Sequence, residues 1–155
     1  MKQKIMFFYL KTGGGHIACA RSVSEYLAKH HKKDTELIMV DGLQESPRIK
    51  KFLFEDVYRL SQNYAEWLFE FTYNINTMPK MWVQTRKLIE LMLEDYVEKR
   101  ILEDRPHKIV IFHCFFIKIV EKVLARHGLK IPVVVFVTDP YEPPHMWFPS
   151  KKVHY

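Results

Sequence analysis

Glycine is scarce in this 155-residue chain, with five in all, yet three of them are consecutive, Gly13-Gly14-Gly15. Two residues, Lys11 and Thr12, separate the run from residues 4–10 (KIMFFYL), an apolar stretch without helical period that reads as a buried strand. After it, Ile17, Ala20, Val23 and Leu27 recur at helical spacing. A chain that avoids glycine elsewhere and groups three at a strand–helix junction has placed a special backbone there. Residues 35–40 (TELIMV) form a second strand-like run ending at Asp41. Strand, glycine turn, helix and strand together open a doubly wound sheet.

The alternation resumes further on. Residues 108–112 (KIVIF) predict a third strand ending in His113-Cys114, and Phe116, Ile119, Val120, Val123 and Leu124 predict an amphipathic helix stopped by Gly128. Residues 131–137 (IPVVVFV) are apolar throughout, as a parallel strand covered on both faces would be, and end in Thr138-Asp139. The proline-rich residues 140–149 read as an irregular loop, and residues 152–155 are a candidate start of a fifth strand. The expected fold is α/β, a Rossmann-like parallel sheet with helices on both faces, in one domain over residues 1–155. Its one irregularity is a crossover of about 60 residues between strands two and three, far longer than a minimal connection needs. Residues 49–75 carry a 3.6-residue apolar period, Pro79 interrupts, and a second helix is expected over residues 80–102 with Leu88, Leu91, Met92, Asp95, Tyr96 and Leu102 near one stripe. A helical insertion over about residues 48–104 is therefore predicted.

Composition narrows the function classes. Hydrophobic residues at 48% supply a core and exclude a disordered chain. No apolar run approaches the roughly 20 residues that span a bilayer, and no cleavage site follows the N-terminal residues, so neither a membrane span nor a signal peptide is expected. Cys19 and Cys114 sit in apolar segments and read as free thiols of a reducing cytoplasm. The net charge of +6 suits an anionic partner. Helix-turn-helix, zinc-finger and RNA-binding aromatic patterns are all missing, so nucleic acid is not expected.

In an open parallel sheet, ligands bind beyond the carboxyl ends of the strands. Here those ends carry Thr12–His16, Asp41, His113-Cys114 and Thr138-Asp139. The glycine run would present free N–H groups and a positive helix end to an anion, or serve only as a tight turn. His16, opening the helix, would be held neutral by the helix end and could accept a proton, or simply cap. Gly13, Gly15 and Ala18 with Asp41 downstream loosely fit a dinucleotide fingerprint, which keeps a dinucleotide-binding domain of an oxidoreductase as one alternative. His113, Cys114, Asp139 and His145 lack the paired spacings of a zinc site, so no metal is expected. Asp139 would position a hydroxyl or a histidine, or cap the turn. Nine of the 22 aromatics fall within residues 52–82, among them Trp67, Phe69 and Trp82, beside Arg48, Lys50, Lys51, Arg59, Lys80, Arg86 and Lys87. That mixture fits either a surface entering an anionic headgroup layer or an aromatic core or dimer contact. A non-enzymatic peripheral membrane module is the second alternative.

Residues 8–20 (FYLKTGGGHIACA) and 131–147 (IPVVVFVTDPYEPPHMW) together resemble the N-terminal domain of monogalactosyldiacylglycerol synthases and the related processive diacylglycerol glucosyltransferases. The resemblance implies half of a GT-B glycosyltransferase, moving sugar from a nucleotide-sugar to diacylglycerol or a similar lipid. It implies that Gly13–Gly15 line the cleft, that His16 is the base, and that Asp139 acts with it. It places His113, Thr138, His145 and Trp147 in the acceptor cleft, and makes the helical insertion a membrane contact through Trp67, Phe69 and Trp82. A peripheral, cytoplasmic membrane protein follows, with a lipid acceptor and an anionic membrane surface as partners. Cys114 stands where the family usually has proline. The family's nucleotide-sugar domain, expected to take a UDP-sugar, lies beyond Tyr155; by this resemblance the chain needs that domain, in cis or as a separate chain, for turnover, and binds no cofactor itself.

Overall fold

The computed structural model describes residues 2–11, 14–44, 79–139 and 147–155, apart from the side chains of residues 79–86 and 88. Four strands, β1 (Gln3–Tyr9), β2 (Thr35–Asp41), β3 (Lys108–Ile111) and β4 (Val133–Val135), form one parallel sheet in the order β2-β1-β3-β4. The helices among the described residues are α1 (Gly14–His30), α2 (Pro79–Asp104) and α3 (Phe115–Arg126). The α/β class and the parallel sheet are as the sequence predicts.

β1 explains its own apolar run. It pairs with β2 on one edge and β3 on the other, so both its faces must be covered. Met6, Phe8 and Leu10 point to one face, packing with Ile89, Leu93, Val97 and Ile101 of α2 and with Phe116, Val120 and Val123 of α3. Ile5, Phe7 and Tyr9 point to the other, where Ala20, Ile17, Val23 and Leu27 of α1 lie. Side chains alternate along the strand with period two, so each face takes every second residue.

Several boundaries differ from expectation. Gly14 and Gly15 belong to the first turn of α1 rather than to a loop before it. β4 keeps only three of the seven residues predicted, and on the α1 face Val134 is half-buried and Phe136 is 42% exposed, so β4 is not covered on both faces. α2 begins at Pro79, a residue suited to a first helical position because its missing N–H has no helical partner there. Its buried stripe is Ile89, Leu93, Val97 and Ile101; Leu91 is 76% exposed and Leu102 38%. Of the predicted stripe, Met92 and Tyr96 are partly buried against the same core, while Leu91, Asp95 and Leu102 face solvent, so the buried line runs beside the expected one and overlaps only its margin. α3 buries the residues expected of it. It closes at Gly128 (φ +63°), with Leu129 N–H donating to Leu124 and Gly128 N–H to Ala125, the paired bonds of a Schellman stop. His154 pairs with β4 in parallel, which supports the candidate fifth strand. Residues 45–78, most of the expected insertion, lie outside the described residues, as do residues 140–146 of the proline-rich loop.

Polar contacts join α2 to α3. Glu94 is buried on α2 and accepts from Lys122 at 2.6 Å and from Arg126, while Glu98 takes Arg126 and His127. The Lys122 hydrogen bond, with help from Arg126, holds the Glu94 carboxyl below the usual range. A depressed carboxyl stabilises the fold above its unfolded value of about 4.3, and that contribution is lost as pH falls through the lower folded value. Glu94→Gln should therefore cost about 1 kcal/mol at pH 7, the upper end for pairs whose cations stay open to water. Urea midpoints measured against pH should show the gap between wild type and variant closing below pH ~4.

Candidate functional site

The strand order places a reversal beside β1. The chain steps outward from β1 to β2, then returns past β1 to build β3 and β4. Loops leaving β1 and β3 therefore diverge and leave a crevice at the carboxyl edge between them, where open α/β sheets hold ligands. His16 follows β1 and His113 follows β3, so the two flank this crevice from opposite sides.

Their rings meet. The His16 and His113 centroids lie 4.4 Å apart, and Trp147 stands 6.1 Å from His16. His16 Nδ1 and the Thr138 hydroxyl are hydrogen-bonded at 2.6 Å, joining residues 122 positions apart in the chain. Trp147, 1% exposed, donates its indole N–H to Asp139 at 2.5 Å. Four of the residues expected in the cleft or as catalytic partners, His113, Thr138, Asp139 and Trp147, are thus gathered around His16 or one bond from it. Gly13, His145, Trp67 and Phe69 lie outside the described residues, and Trp82 is described only as part of the α2 backbone.

Burial sets the electrostatics. It is the largest influence on His16 and pushes its pKa below the ordinary histidine value; the nearby Asp139 carboxylate and a hydrogen bond to the Phe112 carbonyl push back. The sequence reading expected the same direction but credited the helix end. His113 is held well below the ordinary value, first by burial and then by His16. Cys114 is likewise buried, and its thiol is pushed far up, so it is inert. Two contacts were not legible in the sequence: the Phe112 carbonyl on His16, and the Phe115 N–H that donates to His113 Nδ1 at 3.4 Å. Both involve backbone atoms at the end of β3, and backbone atoms carry no sequence signal.

Gly14 and Gly15 are exposed, and among the described residues a Cβ added at either would meet nothing within 4 Å. Their backbone is helical, so packing against the strand does not explain them. Asp41, by contrast, is buried in its own turn: Oδ1 accepts the Leu43 N–H at 3.2 Å and Oδ2 lies 3.1 Å from Lys11 Nζ. A carboxylate engaged this way is not presented to a ribose, which removes the acidic anchor of the dinucleotide reading.

A neutral imidazole bonded to a hydroxyl, with a carboxylate near enough to stabilise its protonated form, is an arrangement that can take a proton from an incoming hydroxyl group. Among the described residues, no helix is long and apolar enough to cross a membrane. No match is found among curated proteins. The family model for monogalactosyldiacylglycerol (MGDG) synthase matches residues 16–155, a stretch that begins at His16 and takes in His113, Thr138, Asp139 and Trp147. The chain belongs to the monogalactosyldiacylglycerol synthase family, a family of glycosyltransferases.

Proposed function

We propose that this chain supplies the acceptor side of a glycosyltransferase that moves a sugar from a nucleotide-sugar onto diacylglycerol or a similar lipid. The observation that carries the reading is the 2.6 Å bond between His16 Nδ1 and Thr138. It draws the two motifs of the family resemblance together at the sheet's switch point. In the proposed step, the acceptor hydroxyl gives its proton to His16 as its oxygen attacks the anomeric carbon. The bond from that carbon to the nucleoside diphosphate breaks, and configuration inverts. Asp139 stabilises the imidazolium that forms, and Trp147 holds Asp139 in place. The nucleotide-sugar, a UDP-sugar in this reading, is held by a second domain, in cis or as a separate chain.

The membrane is the proposed source of the acceptor. The net charge of +6 favours an anionic surface, and the aromatic and basic residues between 48 and 87, with Trp67, Phe69 and Trp82, are the proposed contact. The protein would then work as a peripheral membrane protein on the cytoplasmic side. Vesicle flotation tests this part. Binding should need anionic lipid, fall with salt, and weaken in Trp67→Ala and Trp82→Ala. Salt-independent binding, or none, would send those aromatics to a core or a protein contact.

The chemistry has its own test. In the chain joined to its nucleotide-sugar domain, His16→Gln should lower kcat by 100-fold or more, roughly the contribution of a general base, and leave lipid binding intact. Because burial lowers the His16 pKa, the acid limb of the wild-type rate profile should lie below pH ~6.5. Turnover near the wild-type rate in His16→Gln would remove the residue from this role.

Gly14 and Gly15 enter the same reading as clearance for the acceptor or the donor phosphates above the start of α1. Gly14→Ala and Gly15→Ala should raise stability by about 0.4–1 kcal/mol, since helical backbone accepts alanine and no neighbour is in the way. Turnover should nevertheless fall. Thermal melts and rates on the same samples separate the two effects; equal rates would mean the space is not used.

A further inference from the structure

Among the described residues at the site, His113 is a buried histidine to which the proposed reaction gives no task. It is 7% exposed, and its surroundings leave it little freedom. On one side its Nδ1 accepts the Phe115 N–H at the start of α3. Cys114, at the N-cap position, makes no side-chain cap bond, and the histidine ring takes the first N–H of the helix, which has no partner within the helix. On the other side its ring packs on His16 at 4.4 Å and on Phe115 at 4.5 Å. A nitrogen that accepts a helix N–H has no room for a proton, and the positive end of a helix disfavours a cation.

We propose that His113 is a positioning residue for His16: a ring kept neutral by its place at the start of α3, which walls off one face of the His16 imidazole from water and holds that imidazole against Thr138. This deepens the proposed function and rests on its assignment of His16 as the base. His113 acts by its bulk rather than by a charge. Burial is the leading influence on His16, and the His113 ring contributes part of that burial. Among the described residues, the groups facing the pair are Asp139 beyond β4, which favours a charge on His16, and the Cys114 thiol, 3.9 Å from His113 Nδ1, which stays neutral. Thr138 bonds His16 and the Trp147 indole bonds Asp139, and at the same sheet edge Lys11 pairs with Asp41. Only His16 then takes up the acceptor's proton. His113 cannot share it without giving up its bond to α3.

Histidine-ring NMR on this chain tests the proposal, with His16→Gln assigning the His16 signal. In wild type, His16 should titrate below pH ~6.5 and His113 should not titrate until acid unfolding begins. His113→Asn keeps an acceptor for the Phe115 N–H but removes the ring. It should raise the His16 titration by half a pH unit or more, roughly the scale of a partial loss of burial. His113→Phe keeps a wall without the acceptor and should leave His16 near its wild-type value.

In the enzyme joined to its nucleotide-sugar domain, the acid limb should rise with the NMR value in His113→Asn. At pH values between the wild-type and variant limbs its kcat should drop with KM unchanged, and activity should recover at pH 8.5, where His16 is neutral in either protein. A loss that pH does not rescue would mark a merely structural role. An unshifted His16 titration in His113→Asn would overturn the proposal. If that variant fails to fold, a wild-type His113 that titrates near pH ~6.5 overturns it instead, and one that stays neutral supports it. Failure of the base assignment looks different: His16→Gln would keep its turnover while the coupling between the two rings persisted.

Discussion

The whole molecule depends on β1 being buried on all sides. Both its edges are paired and both its faces are covered, so it can lie only in the interior of the sheet. The next strand must then go to one side and the following strand to the other. That choice creates the reversal of strand order, and the reversal creates the crevice. His16 and His113 are far apart in sequence yet become neighbours because β1 and β3 are adjacent and each strand releases a histidine at the same edge. The core and the site are therefore one construction. A strand of alternating polarity in place of residues 4–10 would sit at a sheet edge, and the two histidines would lose their common crevice.

Burial at that crevice also does chemical work. Two imidazoles in contact, with little water around them, cannot both carry charge. The surroundings decide which one is able to. His113 is tied to the start of α3, whereas His16 faces Asp139 and the Phe112 carbonyl, both of which favour its protonated form. The pair is asymmetric before any substrate arrives. In the role proposed for His16, a base must be neutral at rest and tolerable when charged, and burial would provide the first property and the Asp139 carboxylate the second. Asp139 in turn depends on Trp147, which lies in the main core. The electrostatics of the site thus trace back to packing.

The sequence disclosed a good part of this, and the parts it hid have physical reasons. β1, β2, β3, α1 and α3 were legible within a residue or two because their apolar patterns have a single sensible period. The buried face of α2 was not, since Leu88, Ile89, Leu91, Met92 and Leu93 leave several stripes open and only contact with Met6, Phe8 and α3 selects one. β4 was overestimated because IPVVVFV is apolar enough for seven strand residues, but pairing with β3 extends over three. At the site, residue identities were readable from strand ends and from the resemblance. Their partnerships were less so. That Thr138 would reach His16, and that Trp147 would hold Asp139, depends on how the last loop returns across the sheet. Asp41 shared the strand-end position of the others, yet its carboxylate closes its own turn with Leu43 and Lys11.

The glycines separate the demands of folding from those of function. Gly42 follows β2, and a Cβ there would come within 2.8 Å of Phe116 Cε1 and 3.0 Å of Leu10. Gly128 needs its positive φ to end α3. Each of these is explained by the chain's own packing or backbone. Gly14 and Gly15 are explained by neither, for they are helical and exposed, and none of the described residues opposes them. Glycine in a helix is worse than alanine by up to about 1 kcal/mol, so two together at a helix start are a standing cost to the fold. Such a cost is reasonable only if something outside the chain's own core must come close to that backbone. In the proposed function, the start of α1, two residues from His16, is the approach for an acceptor hydroxyl or a donor phosphate.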